Sequence, residues 1–426
     1  MRVLLRRMKG CSVDIDIDGA VRSIGRRIKE VRAWRDMTLK IVADRAGISE
    51  GYLSRIERGE RPVNRRATLE GIAAALEVAP GELTGAHELV AGEGMGEVHA
   101  AVVALRVALA DNALDDPADD AARPWPELAV TLHQVNVELR PAADYAALGL
   151  VLPDLIAELH AVAVTDPVHR RKALHGLLDV YCAVTFTAKH LGEPDLATVA
   201  AMHARSVAAE LDSPAHTALA ELLRAHAVAS PARARSLVLA ARAADRVAPF
   251  VGGDGAAAEM YGMLHLTCAL NAVALRHPAE SADHQAEAAD GAARVVGAGT
   301  NFGNQSFGQA NVGFWGVTLA VERGEGGKVG ELARHIDPTA VASASRRAGF
   351  YSDLGRGLAT ERSRRDDAVS ALLTAEQLAP QRVRANPFVR EAVTDLLRRV
   401  RRDTVLGREL RSLAYRMGIG VDRPTG

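Results

Sequence analysis

Between Thr38 and Arg61 the chain gathers side chains suited to nucleic acid. Arg55 carries a guanidinium that bonds bidentately to guanine O6 and N7. Ser49 and Ser54 bring hydroxyls suited to phosphates or base edges, and Arg58 and Arg61 bring charge for a phosphate backbone. No set of comparable coherence exists for catalysis. The run GEGGKV at 324–329 lacks the first glycine of a phosphate loop, because Glu322 stands there, and Val329 replaces the magnesium-binding hydroxyl. The 14 histidines are scattered without an H-E-x-x-H pairing, so His203, His216, His226 and His265 read as ordinary helix residues rather than metal ligands. There is no G-x-S-x-G elbow. The 3 cysteines, Cys11, Cys182 and Cys268, are too far apart for a zinc knuckle and odd in number for a disulfide framework. The expectation is a non-enzyme without cofactor or metal, in a reducing cytoplasm.

The net charge of −1 argues against a nucleic-acid partner until its distribution is considered. Residues 1–85 hold 17 lysines and arginines against 12 acids, and residues 381–416 hold 10 against 4, so the stretch between is acidic. A basic N-terminal block is where a DNA contact belongs.

The elements that would position these residues are short helices. Ile24, Ile28 and Val31 share one face of the first, with Arg26, Arg27 and Lys29 opposite. Thr38 caps a second that begins at Leu39 and stops at Gly47, and Ser49 caps a third over Glu50 to Glu57, ended by Gly59. Ala43 is small where the third helix crosses the second, Gly47 supplies a left-handed turn, and Leu53 and Ile56 press the third helix onto the core. A fourth helix follows around Leu69, Ile72, Ala73 and Leu76, and a short fifth runs from Pro80 to near Leu83. Arg32 and Glu57 are expected as an ion pair joining the first and third helices.

The run ISEGYLSRIERGERP resembles the Cro/C1-type (xenobiotic-response-element) helix-turn-helix family over about residues 22–84. The resemblance implies that the third helix enters the major groove of double-stranded DNA with Ser49, Glu50, Gly51, Tyr52, Ser54 and Arg55 on its exposed side. Two positions depart from the family. Leu39 stands where a phosphate-gripping glutamine is frequent, leaving Lys40 as the substitute, and Gly51 removes a possible base contact. The same fold serves in antitoxins and protein-binding modules, so the alternative is an interaction adaptor or antitoxin-like regulator whose main partner is a protein.

After a glycine-rich linker at 86–98, AGEGMGE within it, helical segments continue to about 417 with breaks at proline or glycine. Tyr351, Leu354, Gly355 and Leu358 followed by Ala368, Leu372, Ala375 and Pro380 resemble a tetratricopeptide repeat, with weaker echoes at His216 to Leu223 and Leu174 to Tyr181. The fold class is therefore all-α: a five-helix domain over 21–85, then a solenoid of degenerate helical hairpins over 99–417, preceded by a disordered arm at 1–20. In arrangement the chain resembles actinobacterial regulators of this type, extending to FGQANV at 307–312 and LLTAEQLAPQRVRANPFVREAV at 372–393.

A solenoid offers a concave binding face. The segment GTNFGNQSFGQANVGFWG at 299–316 is rich in amides and aromatics in a chain with 4% aromatics. Asn304, Gly308, Asn311 and Trp315 are expected on one helical stripe with Phe307 and Phe314 beside it, as a site for a small-molecule or peptide effector; the plainer reading is a helix packed through its aromatics. Arg398, Arg399, Arg401 and Arg402 read as a solvated basic face. No signal peptide and no apolar run of 18 residues is seen, so a homodimeric, cytoplasmic DNA-binding regulator without a membrane partner is the expectation.

Overall fold

The computed structural model describes residues 23–85, 92, 94–114, 116–118, 121–228, 232–295, 299–401 and 403–419. The arm expected at 1–20 and most of the linker lie outside these. Among the described residues the chain is all-α, with an isolated antiparallel bridge between Ala113 and Asp116 and no strand.

Five short helices come first: α1 (Ile24–Trp34), α2 (Leu39–Ala46), α3 (Glu50–Glu57), α4 (Arg66–Ala75) and α5 (Pro80–Thr84). The side chains of Ser23, Thr38 and Ser49 accept hydrogen bonds from Arg26, Ile41 and Tyr52 amides and so start α1, α2 and α3. Gly47 ends α2 at φ 64°, the left-handed conformation the turn demands. Gly25 lets α1 and α3 nearly touch, since a Cβ there would lie 2.0 Å from the Ile56 carbonyl oxygen. Ile28, Val42, Ala43, Leu53, Ile56, Ile72, Leu76 and Leu83 close the core between them.

The remainder is helical: α6 (Met95–Asp111), α7 (Trp125–Gln134) with a π-turn into α8 (Arg140–Ala142), α9 (Tyr145–Thr165), α10 (Arg170–Leu191), α11 (Pro194–Leu211), α12 (Pro214–Ala227), α13 (Arg233–Val247), α14 (Gly255–Ala274) and α15 (Pro278–Ala293). Then follow α16 (Gln309–Arg323), α17 (Val329–Arg334), α18 (Ala344–Leu358), α19 (Arg365–Leu378), α20 (Pro380–Ala385), α21 (Pro387–Arg399) and α22 (Val405–Arg416). From α10 to α15 each helix packs on the next, and α18 packs on α19. Prolines at the first position of α11, α12, α15, α20 and α21 stop one helix and start another. Small residues set the close approaches. A Cβ on Gly355 of α18 would meet Leu372 Cγ at 2.7 Å, and one on Gly149 of α9 would meet Ala101 Cβ at 2.0 Å. By length and hydropathy α9 could cross a membrane, but Leu148, Leu152, Leu155, Ile156 and Leu159 are buried in the core.

The five-helix unit is bolted onto this helical domain. Phe388 of α21 enters its core, and Glu391 accepts the Ile24 amide at 2.8 Å. Arg276, just after α14, donates to the Ala46 and Gly47 carbonyls at 2.9 and 2.8 Å, capping α2. Arg398 and Arg399 donate to the Gly59 and Glu60 carbonyls beyond α3. Arg398 and Arg399 thus hold the unit while remaining on the exposed basic face expected for them, and Arg401 is exposed too; Arg402 lies outside the described residues. At the centre Arg356, 1% exposed, bonds Asn64, Asp353 and Glu322 and lies 4.6 Å from the Phe388 ring centroid. Arg66 pairs with Glu322, and Arg233 reaches Glu70 at 2.8 Å.

Candidate nucleic-acid interface

The residues expected to meet DNA lie along and beside α3, and one of them, Arg61, also lines a crevice of the dock with Asp395 and Arg398. Ser49, Glu50, Gly51, Arg55, Arg58 and Arg61 are exposed along and just after α3, Lys40 is exposed at the start of α2, and Tyr52 and Ser54 are half-buried. Eight of them lie on or next to α2 and α3, and Arg61 lies at the edge of the dock. Several have partners within the protein. Ser49 Oγ is occupied as the cap of α3, 3.2 Å from the Tyr52 amide. Ser54 Oγ accepts from Arg58, whose Nε also donates to Glu60 at 2.5 Å. That pair raises the Arg58 pKa and holds the Glu60 carboxyl below the usual carboxylate range, chiefly through the hydrogen bond. Tyr52 packs against the core with one side. Among the described residues Arg55 makes one long hydrogen bond, 3.3 Å, from its Nε to the Gly51 carbonyl, and it lies near enough to Glu60 to help lower that carboxyl's pKa. Nothing lies within 4 Å of the place a Gly51 Cβ would occupy, so the surface there is open.

Behind α3, Arg32 donates to both oxygens of Glu57 at 2.6 and 2.8 Å, the ion pair expected between α1 and α3. The hydrogen bond to Glu57 raises the Arg32 pKa. Glu57 is buried in this pairing and takes no part in the outer surface.

This arrangement, a capped helix presented across a glycine turn with its charged side outward, is what a DNA-reading pair of helices requires. Residues 23–86 match the family model of a helix-turn-helix domain. Searches of curated proteins and of solved structures found no match for the chain. The helix-turn-helix is the unit of DNA-binding regulators, and it accounts for about the first fifth of the chain. The rest stands on its geometry alone.

The second candidate site is corrected by that geometry. Asn304 does not share a helical stripe with Asn311 and Trp315, because α16 begins only at Gln309, and Asn304 lies in a tight turn over Phe302–Asn304. Asn301, Gly303, Asn304 and Ser306 have φ of 51°, 57°, 56° and 54°. Asparagine and glycine tolerate this left-handed backbone better than other residues. The amide-rich composition thus serves first to build the loop, which Glu259 pins by accepting the Thr300 and Phe302 amides. Phe307 is buried against Gly262, and Asn311 is 1% exposed, bonding Arg346 through Oδ1 and the Gln305 carbonyl through Nδ2.

Three of the five do converge. Asn304, Phe314 and Trp315 line a cavity of about 550 Å³ in the helical domain. Alternate helices form its wall: α10 with Phe186, Lys189 and His190, α12 with His226, α14 with Met263, α16, and α18 with Arg346, Phe350 and Asp353. Arg140, Arg382 and Phe388 complete it, and Arg66 of the helix-turn-helix closes one side. The sequence reading missed every cation here. The five, Arg66, Arg140, Lys189, Arg346 and Arg382, come from five separate elements, and no linear spacing marks them. His226, read as an ordinary helix residue, is part of this wall; among the described residues no cluster of metal-binding side chains occurs.

Proposed function

We propose that the protein is a sequence-specific transcriptional regulator that binds double-stranded DNA through α3, works as a homodimer, and responds to an effector held by its helical domain. The observation that carries this reading is the division of the helix-turn-helix surface. One side is bolted to the helical domain by Arg276, Phe388, Arg398 and Arg399, while the side bearing Lys40 and Arg55 stays open. A partner-protein role for the same fold would not require that face to be cationic and uncapped. The unit also cannot be regarded as separable, since Phe388 completes its core. A single helix-turn-helix covers little DNA, so specific affinity calls for two half-sites about one helical turn apart. For the second copy, exposed Val103 and Val107 on α6 and Leu150 on α9, the last 82% exposed, offer an apolar surface on two packed helices.

Selection of bound duplexes from a random pool by the full chain tests this. The expected result is one enriched motif with two related halves, together with a dimer in light scattering. No enrichment at low salt would overturn the DNA reading and leave the adaptor or antitoxin alternative.

A further inference from the structure

Lys189, Arg346 and Arg382 all line the inner cavity, and none of them has a carboxylate within ion-pair distance among the described residues. Lys189 Nζ meets His226 Nδ1 at 2.5 Å, Arg346 bonds the Asn311 amide oxygen, and Arg382 bonds the Ser345 carbonyl and hydroxyl at 2.7 and 2.6 Å. These are neutral partners. The one carboxylate lining the cavity, Asp353, is taken up by Arg356 at 2.5 Å and by the Thr318 hydroxyl at 2.6 Å. Arg140 adds a further cation whose Nη1 has no hydrogen-bond partner. Trp315, 6% exposed, has an indole N–H in the same state.

Buried charges are ordinarily paired, because taking them from water without compensation is costly. Here burial and the mutual repulsion of the cations act together. Burial first, then Arg382 beside it, push the Arg346 pKa down to about 9, and burial with four neighbouring arginines lowers that of Lys189 strongly. Rings accompany the charges: Trp315 lies 5.5 Å from the Arg346 guanidinium, Phe186 5.9 Å from Lys189 Nζ, and Phe314 and Phe350 stack at 4.5 Å. Lone core arginines would be expected to find carboxylates; a wall of cations and flat rings around about 550 Å³ is instead the complement of a planar polyanion.

We propose that this cavity binds a small molecule carrying at least two acidic groups, phosphate or carboxylate, on a flat ring, the acids meeting Lys189, Arg346 and Arg382 and the ring lying against Trp315. This rests on reading the helical domain as the sensor, and it names the chemistry of what is sensed. Among the lining residues Arg66 alone belongs to the helix-turn-helix, where it also pairs with Glu322. A bound polyanion therefore touches both units, and its differential affinity for their docked arrangement is the means by which it would bias DNA binding.

The test is the melting temperature of the full chain without DNA, in ATP, pyrophosphate, citrate or adenosine at millimolar concentration, with ionic strength held by sodium chloride. ATP at a hundredfold excess over its Kd is expected to raise Tm by about 3 °C or more, pyrophosphate and citrate to raise it less, and adenosine not at all. Arg346→Met and Arg382→Met are expected to melt no lower than the parent chain without anion and to lose the response. Lys189→Met gives the same test should an arginine variant not fold. Lys40→Ala/Arg55→Ala is expected to keep the response, which separates the cavity from the DNA face. The proposal is overturned if no polyanion exceeds the sodium chloride control, if the cavity variants keep the full response, or if they melt lower and still respond. A chain that shows this response yet enriches no duplex would overturn the regulator reading alone.

Discussion

At the scale of single residues, two glycines of the helix-turn-helix have opposite meanings. Gly25 stands where α1 meets the backbone of α3, and a methyl group would collide with the Ile56 carbonyl oxygen at 2.0 Å. Gly25→Ala is expected to destabilise the unit by about 1–3 kcal/mol or more, as overpacking does. Gly51 meets nothing within 4 Å, so Gly51→Ala is expected to be neutral or to stabilise by up to about 1 kcal/mol through helix propensity. Chemical denaturation of the two variants checks both signs. Sequence alone places Gly47 in its turn by its position between two capped helices. It does not distinguish Gly25 from Gly51, because the difference lies in what each faces across space.

Local signals carried the elements. The caps Thr38 and Ser49, the turn glycine and the helix-starting prolines are all read from adjacent residues, and the structure places α2, α3 and α5 on those signals. A 3.6-residue stripe can be drawn from Asn304 through Asn311 to Trp315, yet Asn304 has left-handed backbone and stands before the helix that holds the other two. The dock between the two units was invisible for a related reason: Asn64, Glu322, Arg356 and Phe388 are brought together over separations of up to 324 residues, from Asn64 to Phe388. Arg356 is the key of that dock. Arg356→Met would strand Asp353 and weaken the hold on Asn64, so a loss of about 3–5 kcal/mol is expected. Hydrogen exchange should show faster opening in α3 and α4 of that variant than in α10 and α11. Uniform protection across both units would contradict the docking role.

For the whole molecule, one buried histidine, His160, and several half-buried ones make stability depend on pH. Burial, with His203 nearby, pushes His160 down to about 4, and burial with His175 and Arg171 does the same to His216. His190 and His226 are also lowered, by burial and by the cations around them. A histidine whose folded pKa lies below its unfolded value near 6.5 favours the folded chain when neutral. Stability is therefore full above about pH 6.5 and falls as the pH drops towards 4, because the unfolded chain takes up protons first. His160 alone would account for about 2 kcal/mol by pH 5. Tm measured between pH 7.5 and 5 should fall, and less steeply in His160→Gln. Reading of DNA by α3 through Arg55, with Lys40 gripping phosphate, is tested by fluorescence-anisotropy titrations over a range of salt. These compare the selected duplex with a scrambled one, for the parent chain, Arg55→Ala and Lys40→Ala. The expected result is salt-sensitive binding, a loss of about 1–3 kcal/mol for Arg55→Ala with relaxed preference at one base pair, and an equal weakening on both duplexes for Lys40→Ala. Unchanged affinity and preference in Arg55→Ala would contradict the placement of α3 in the groove.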